Sequence, residues 1–148
     1  MSSAPFDINL VVARLQELDP QPFSQIGTIV EYSKVTDLSG FAMPGAYVLM
    51  GPERGVPGNG GRAQVAEAVI GIAIAVRNYG RGAEGLTHEV NPLIGQVRDQ
   101  LIGWCPTFAS TTGLQWVRGD VLDFDGGTLL WMDTFQVQHV IGGKRCQK

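Results

Sequence analysis

Between Gln64 and Tyr79 the chain reads QVAEAVIGIAIAVRNY, and no other stretch restricts its fold as much. Ile70, Ile72, Ile74 and Val76 alternate with Gly71, Ala73, Ala75 and Arg77. In an extended strand, side chains at period two share a face, so one face carries β-branched residues and the other almost only small ones. A helix is the rival, because Val65, Val69, Ile72 and Val76 also fall at helical spacing. The strand is preferred, since β-branched side chains are stiff and fit a pleated surface while Gly71 weakens a helix interior. The large face is expected to build a core, and the small face to admit a helix or a second layer at close range. Nothing in the stretch carries chemistry.

The flanking sequence supplies the other elements. Ile8, Val11, Val12, Leu15 and Leu18 form the stripe of an amphipathic helix, which Pro20 and Pro22 stop. A strand is expected over Gln25 to Tyr32, and a short one over Ala46 to Met50. Gly51 to Arg62, GPERGVPGNGGR, reads as a mobile loop, and a second glycine-rich connection runs from Arg81 to Gly85. Val90, Ile94, Val97, Leu101 and Trp104 then mark the clearest helix, ended by Gly103 and Pro106. Asn91-Pro92 suits its N-cap and first position; a start as early as Thr87 requires Pro92 to kink it. Last comes a hairpin turning at Asp125-Gly126-Gly127. Its first strand is read with Leu114, Trp116 and Leu122 on one side, and its second with Trp131, Phe135 and Val137 on one face. The expected fold is α/β of the α+β kind: one mainly antiparallel mixed sheet, two helices packed on one face, order α-β-β-β-α-β-β.

At 148 residues the chain is expected to be a single domain over 1–148. Its net charge of −3 and lack of a basic block argue against a surface that grips phosphates by charge. Cys105 and Cys146 are too few for a disulfide framework or a four-cysteine zinc site, and are read as free thiols in a reducing cytoplasm. MSSAPFDINL has no basic flank before an apolar run, so no signal peptide is expected. The most apolar window, Ala68 to Val76, is far below the ~20 residues that span a bilayer, so no membrane partner is expected.

Motifs of chemistry are weak. Gly58-Asn59-Gly60-Gly61-Arg62-Ala63 matches a dinucleotide fingerprint formally, but it neither follows a strand directly nor opens a helix. Asp120, Asp123, Asp125 and Asp133 crowd the hairpin without the spacing of a calcium loop. Asp123 and Asp125 suit the turn, while Asp120 and Asp133 are read as solvated or paired with Arg118. His88 and His139 belong to no ligand or triad motif, and Ser110-Thr111-Thr112 lacks the context of a nucleophile elbow. Trp104, Trp116 and Trp131 are read as core and interface anchors in preference to a ligand platform. No cofactor or metal site is expected.

In sum of its pieces the chain resembles the tail terminator (tail-completion) proteins of tailed bacteriophages, including the minor tail protein U type. The resemblance rests on the opening helix with ARLQEL, the strand closing in Val76-Arg77-Asn78, and the helix closing in Leu101-Ile102-Gly103-Trp104-Cys105-Pro106. It rests also on the return strand Leu129-Leu130-Trp131-Met132-Asp133-Thr134-Phe135. The match is best from Gln64 to Ile141, and Pro92 departs from the uninterrupted helix of that family.

The resemblance implies a structural virion protein without enzymatic activity. It implies a homo-hexameric ring on the completed tail tube, halting polymerisation and offering a surface for head–tail joining. Implied partners are further copies of the chain, the tail tube protein and head–tail connector or neck proteins, with DNA only passing through the lumen. The implied location is the head-proximal end of the tail, after synthesis in the bacterial host cytoplasm. Glu53, Arg54 and Arg62 are candidate subunit or tube contacts, as charges on a mobile arm. The rivals are another connector or neck protein, and a small-molecule-binding domain using the 51–62 loop with the acids of Asp120–Asp133.

Overall fold

A computed structural model describes residues 3–77, 82–107, 109–125 and 127–143, without the side chains of Ser39 and residues 82–87. Asn78, Tyr79, Arg81, Gly126 and Cys146, which figure in the readings above, lie outside the described residues. The elements run α1 (Asn9–Gln16), β1 (Gln25–Thr28), α2 (Ile29–Ser33), β2 (Gly45–Gly55), β3 (Ala63–Arg77), α3 (Gly82–Leu101), β4 (Gln115–Phe124) and β5 (Thr128–Gly142). A short 3-10 turn at Leu38–Gly40 precedes β2. The five strands form one sheet in the order β1-β2-β3-β5-β4. Among the described strands the β1–β2 pairing alone is parallel, so the sheet is mixed and the fold is α+β.

The expected central strand is β3, which pairs with β2 on one side and β5 on the other. Ile70, Ile72, Ile74 and Val76 are buried in the main core with Val11 and Leu15 of α1 and Val90, Ile94, Val97 and Leu101 of α3. The two predicted helices therefore share the large face. Ala73 and Ala75, on the small face, lie in a second cluster with Phe41, Tyr47 and Leu130, closed by Tyr32, Val35 and Leu38. At Gly71 a methyl group would come within 2.8 Å of Met132 Sδ, so this face has no room for more than it carries.

Four features differ from expectation, three of them boundaries and one a register, each for a physical reason. The strand expected to reach Tyr32 ends at Thr28, because Thr28 opens a helix with a capping box. The Thr28 amide donates to Glu31 Oε2 at 2.7 Å, and the Val30 amide donates to Thr28 Oγ1 at 3.3 Å. Glu31 can fold back only because residue 27 is glycine: a Cβ there would meet the carboxylate at 2.9 Å. The segment read as a loop from Gly51 is strand as far as Gly55, in register with Ala66 to Ala68. Pro52 is accommodated because the β2–β3 register breaks between Met50 and Glu53, where a missing N–H costs no ladder bond. The hairpin connection proper is 56–62.

Third, α3 begins at Gly82, so Gly82 to Gly85 are helical and Pro92 lies in the helix interior, not at its start. A proline there leaves the carbonyl one turn back, that of His88, without its helical donor. Packing of Val90, Ile94, Val97 and Leu101 offsets this, since buried apolar area stabilises a helix more than propensity does. The helix ends at Leu101, and just beyond it Gly103 has a φ of +82°, which favours glycine. Last, β4 carries two register breaks, at Trp116/Arg118 and Val121/Asp123. They change which residues share a face.

Candidate subunit-assembly surface

β4 is one of the two outer strands of the sheet, ten residues long, and nearly all of it is exposed. A regular strand would put Trp116, Arg118, Asp120 and Leu122 together. The two bulges instead pair Trp116 with Phe135, Gly119 with Asp133, Val121 with Trp131 and Phe124 with Leu129. Directly opposed residues of paired strands share a face. Phe135, Trp131 and Leu129 point to the helix side, so Trp116, Val121 and Phe124 do too, and Arg118, Asp120 and Asp123 lie opposite. The reading that put Leu122 beside Trp116 is corrected by the bulges, since the first shifts the alternation after Trp116 and the second leaves Leu122 unpaired. Exposed at the surface are Trp116 (43%), Val121 (53%) and Phe124 (51%), with Val117 and Leu122 at the bulges.

The acids of the hairpin are not brought together. Asp125 Oδ1 accepts from the amides of Gly127 (2.7 Å) and Thr128 (2.8 Å), which builds the turn as expected. Arg118 pairs with Asp120. Asp133, read as solvated or joined to Arg118, is fully buried and pairs with Arg98 of α3. Its carboxylate accepts from Arg98 Nε (2.8 Å), Arg98 Nη2 (3.0 Å), Trp131 Nε1 (2.8 Å) and Trp116 Nε1 (3.3 Å). The Arg98 guanidinium also lies 4.4 Å from the centre of the Trp116 ring. The Asp133 hydrogen bond raises the Arg98 pKa further above its ordinary value. Gly119 makes the arrangement possible, since a Cβ there would lie 2.5 Å from Trp131 and 2.8 Å from Asp133. Arg98 and Gly119 were missed in the sequence. Finding them requires the bulged register, which no periodicity shows.

The predicted contact residues are placed on the β2–β3 hairpin, in unlike settings. Glu53 Oε2 accepts from the Phe6 amide at 3.0 Å, and Glu53 Oε1 lies 3.1 Å from His139 Nε2. It thus ties the N-terminal segment to β2 and β5. Arg54 is exposed and pairs with Glu67 at 3.1 Å. Arg62 is exposed at the hairpin end, where its carbonyl accepts from the Gly143 amide at 2.9 Å. Of the histidines, His139 is buried and packs edge-on against Phe6, whereas His88 is exposed.

Two grooves of similar size flank the sheet. One of about 730 Å3 lies along the N-terminal segment, with Phe6, Met50 and His139 in its wall. The other, about 720 Å3, joins Ile102 at the end of α3 to Trp116 and Val117 of β4. Among the described residues, every buried side-chain nitrogen or oxygen has a hydrogen-bond partner, and no three His, Cys, Asp or Glu are grouped to hold a metal ion. No described helix is long and apolar enough to cross a membrane.

The fold is similar to that of a chain in the virion of a native gene transfer agent particle. The TM-score is 0.51 at 14% identity, over 88% of this chain and 91% of that one. No curated protein matches significantly by sequence. A family model for the phage tail terminator protein matches residues 1–145, nearly the whole length. The chain belongs to the phage tail terminator family, and is a structural protein of the tail.

Proposed function

We propose that the protein closes the finished tail tube as a ring of six copies, which stops tube growth and presents the surface to which the head is joined. The observation that carries this reading is β4, a long outer strand with large apolar side chains open to solvent. The two bulges and the charges of Arg118, Asp120 and Asp123 blunt this edge against backbone pairing, so its exposed apolar side chains are what call for a partner, and a closed ring covers them in every copy without making a fibre. The function is then assembly and not catalysis. Its partners are its own copies, the tail tube protein and a connector or neck protein on the head side. Arg54 and Arg62 contact a neighbouring copy or the tube through the hairpin they share, and Glu53 acts through the N-terminal segment it holds. A net charge of −3 lets DNA pass the lumen without adhering. The protein is made in the host cytoplasm and ends at the head-proximal end of the tail.

The test is tube growth. Tail tube protein polymerising in vitro is expected to stop lengthening when this protein is added, with a ring visible at one tube end by electron microscopy. Tubes that grow to the same length with and without it, and carry no terminal ring, would contradict the reading.

A further inference from the structure

Large apolar side chains are exposed at two margins of one sheet. Along β4 and the end of α3 they are Ile102, Trp116, Val117, Val121, Leu122 and Phe124. At the other margin, where α2 follows the outer strand β1, they are Ile29 (53%) and Val30 (55%). Among described residues, Met50 is the one further large hydrophobic this exposed. Side chains of these sizes at half exposure leave roughly 400 Å2 of apolar surface on the β4 side. A stable interface takes about 800 Å2 from each partner, a little over half of it apolar. The β4 margin therefore carries about the apolar share of one standard interface, and patches of this size often mark an interaction site.

We propose that the β4 margin of one copy binds the β1–α2 margin of the next, head to tail, so that Val121 and Phe124 cover Ile29 and Val30 of a second copy. The proposal rests on the assembly reading above and adds which surfaces meet. Placement favours a second copy: the margins lie at opposite ends of the order β1-β2-β3-β5-β4, so each chain can use both at once. Two different surfaces meeting make a heterologous contact, which repeats until it closes. A β4-to-β4 contact would consume the apolar margin in a dimer and leave Ile29 and Val30 uncovered. The Arg98–Asp133 pair holds Trp116 beside the groove and so presets the β4 side.

The experiment uses two full-length variants, Val121→Lys and Val30→Lys, each at a site more than half exposed. Both are expected to keep the wild-type circular dichroism spectrum. By sedimentation velocity, wild type is expected to be a closed oligomer and each variant alone a monomer. Mixed in equal amounts, the variants should form a two-chain species and nothing larger, because one supplies an intact β4 margin and the other an intact α2 margin. A Val121→Lys protein that still assembles like wild type would overturn the proposal while leaving the ring reading standing. A Val30→Lys protein that dimerises alone would replace it with a β4-to-β4 contact. Monomeric wild type that nevertheless caps tubes would assign the β4 margin to the tube protein and overturn the proposal, again without touching the tube-capping function.

Discussion

Asp133 has no exposed surface and four donors around its carboxylate, two from Arg98 and one each from Trp116 and Trp131. A buried charge is tolerated only when paired and fully hydrogen-bonded, and removing one partner of such a pair costs far more than the pair contributes. Asp133→Asn is expected to destabilise the fold by about 3 kcal/mol, measured by urea denaturation. Arg98→Lys should cost less, about 1–2 kcal/mol, because the charge survives while the two-pronged geometry is lost. No loss on Arg98→Lys would mean that the carboxylate is held by the indoles alone, and a loss as large as that of Asp133→Asn would mean that the two-pronged contact carries the whole pair. Gly119→Ala should cost about 1–3 kcal/mol through the clash with Trp131 and Asp133. Asp133 was visible in the sequence as one of four acids, but its partner was not. Arg118 is nearer in sequence, and only the bulged pairing shows that it faces away.

At the scale of the element, β3 was legible because its alternation is carried by side-chain shape, and both faces fulfil it. The helix stripe of α3 was legible for the same reason, though its start was not: Asn91-Pro92 is a good local cap, and core packing outweighs it. α2 was hidden because Ile29 and Val30 suit a strand, while Thr28 and Glu31 form a cap only when Gly27 leaves space. Thr28→Ala is expected to cost about 1 kcal/mol. The hydrogen bond from the Thr28 amide lowers the Glu31 pKa below its usual carboxylate value. A carboxyl group with a depressed folded-state pKa stabilises above its unfolded pKa, and this is lost as pH falls through the folded value. The stability difference between wild type and Glu31→Gln should therefore be present at pH 7 and shrink as pH falls through and below the ordinary glutamate range. A difference constant over that range would contradict the capping role. β4 was legible as a strand but not in its faces, since a bulge shifts alternation by one residue without leaving a mark in composition.

For the whole molecule, the sheet is built outward from β3 and stops at two margins that differ in length, charge and apolar cover. Its interior is closed on both faces, by α1 and α3 on one side and by α2 with the 3-10 turn on the other. What remains open is an edge, which is the geometry of a part in an assembly. The resemblance in Trp131-Met132-Asp133-Thr134-Phe135 pointed to the family, and the structure explains those residues as core and lock, leaving Val121 and Phe124 as the surface that faces outward. A ring of copies, as proposed above, is tested by the mass of the purified protein in solution across a wide concentration range, by sedimentation velocity. A sixfold mass, or a monomer that converts to a sixfold species as concentration rises, is the expected result. A stable dimer that never grows at any concentration would contradict it.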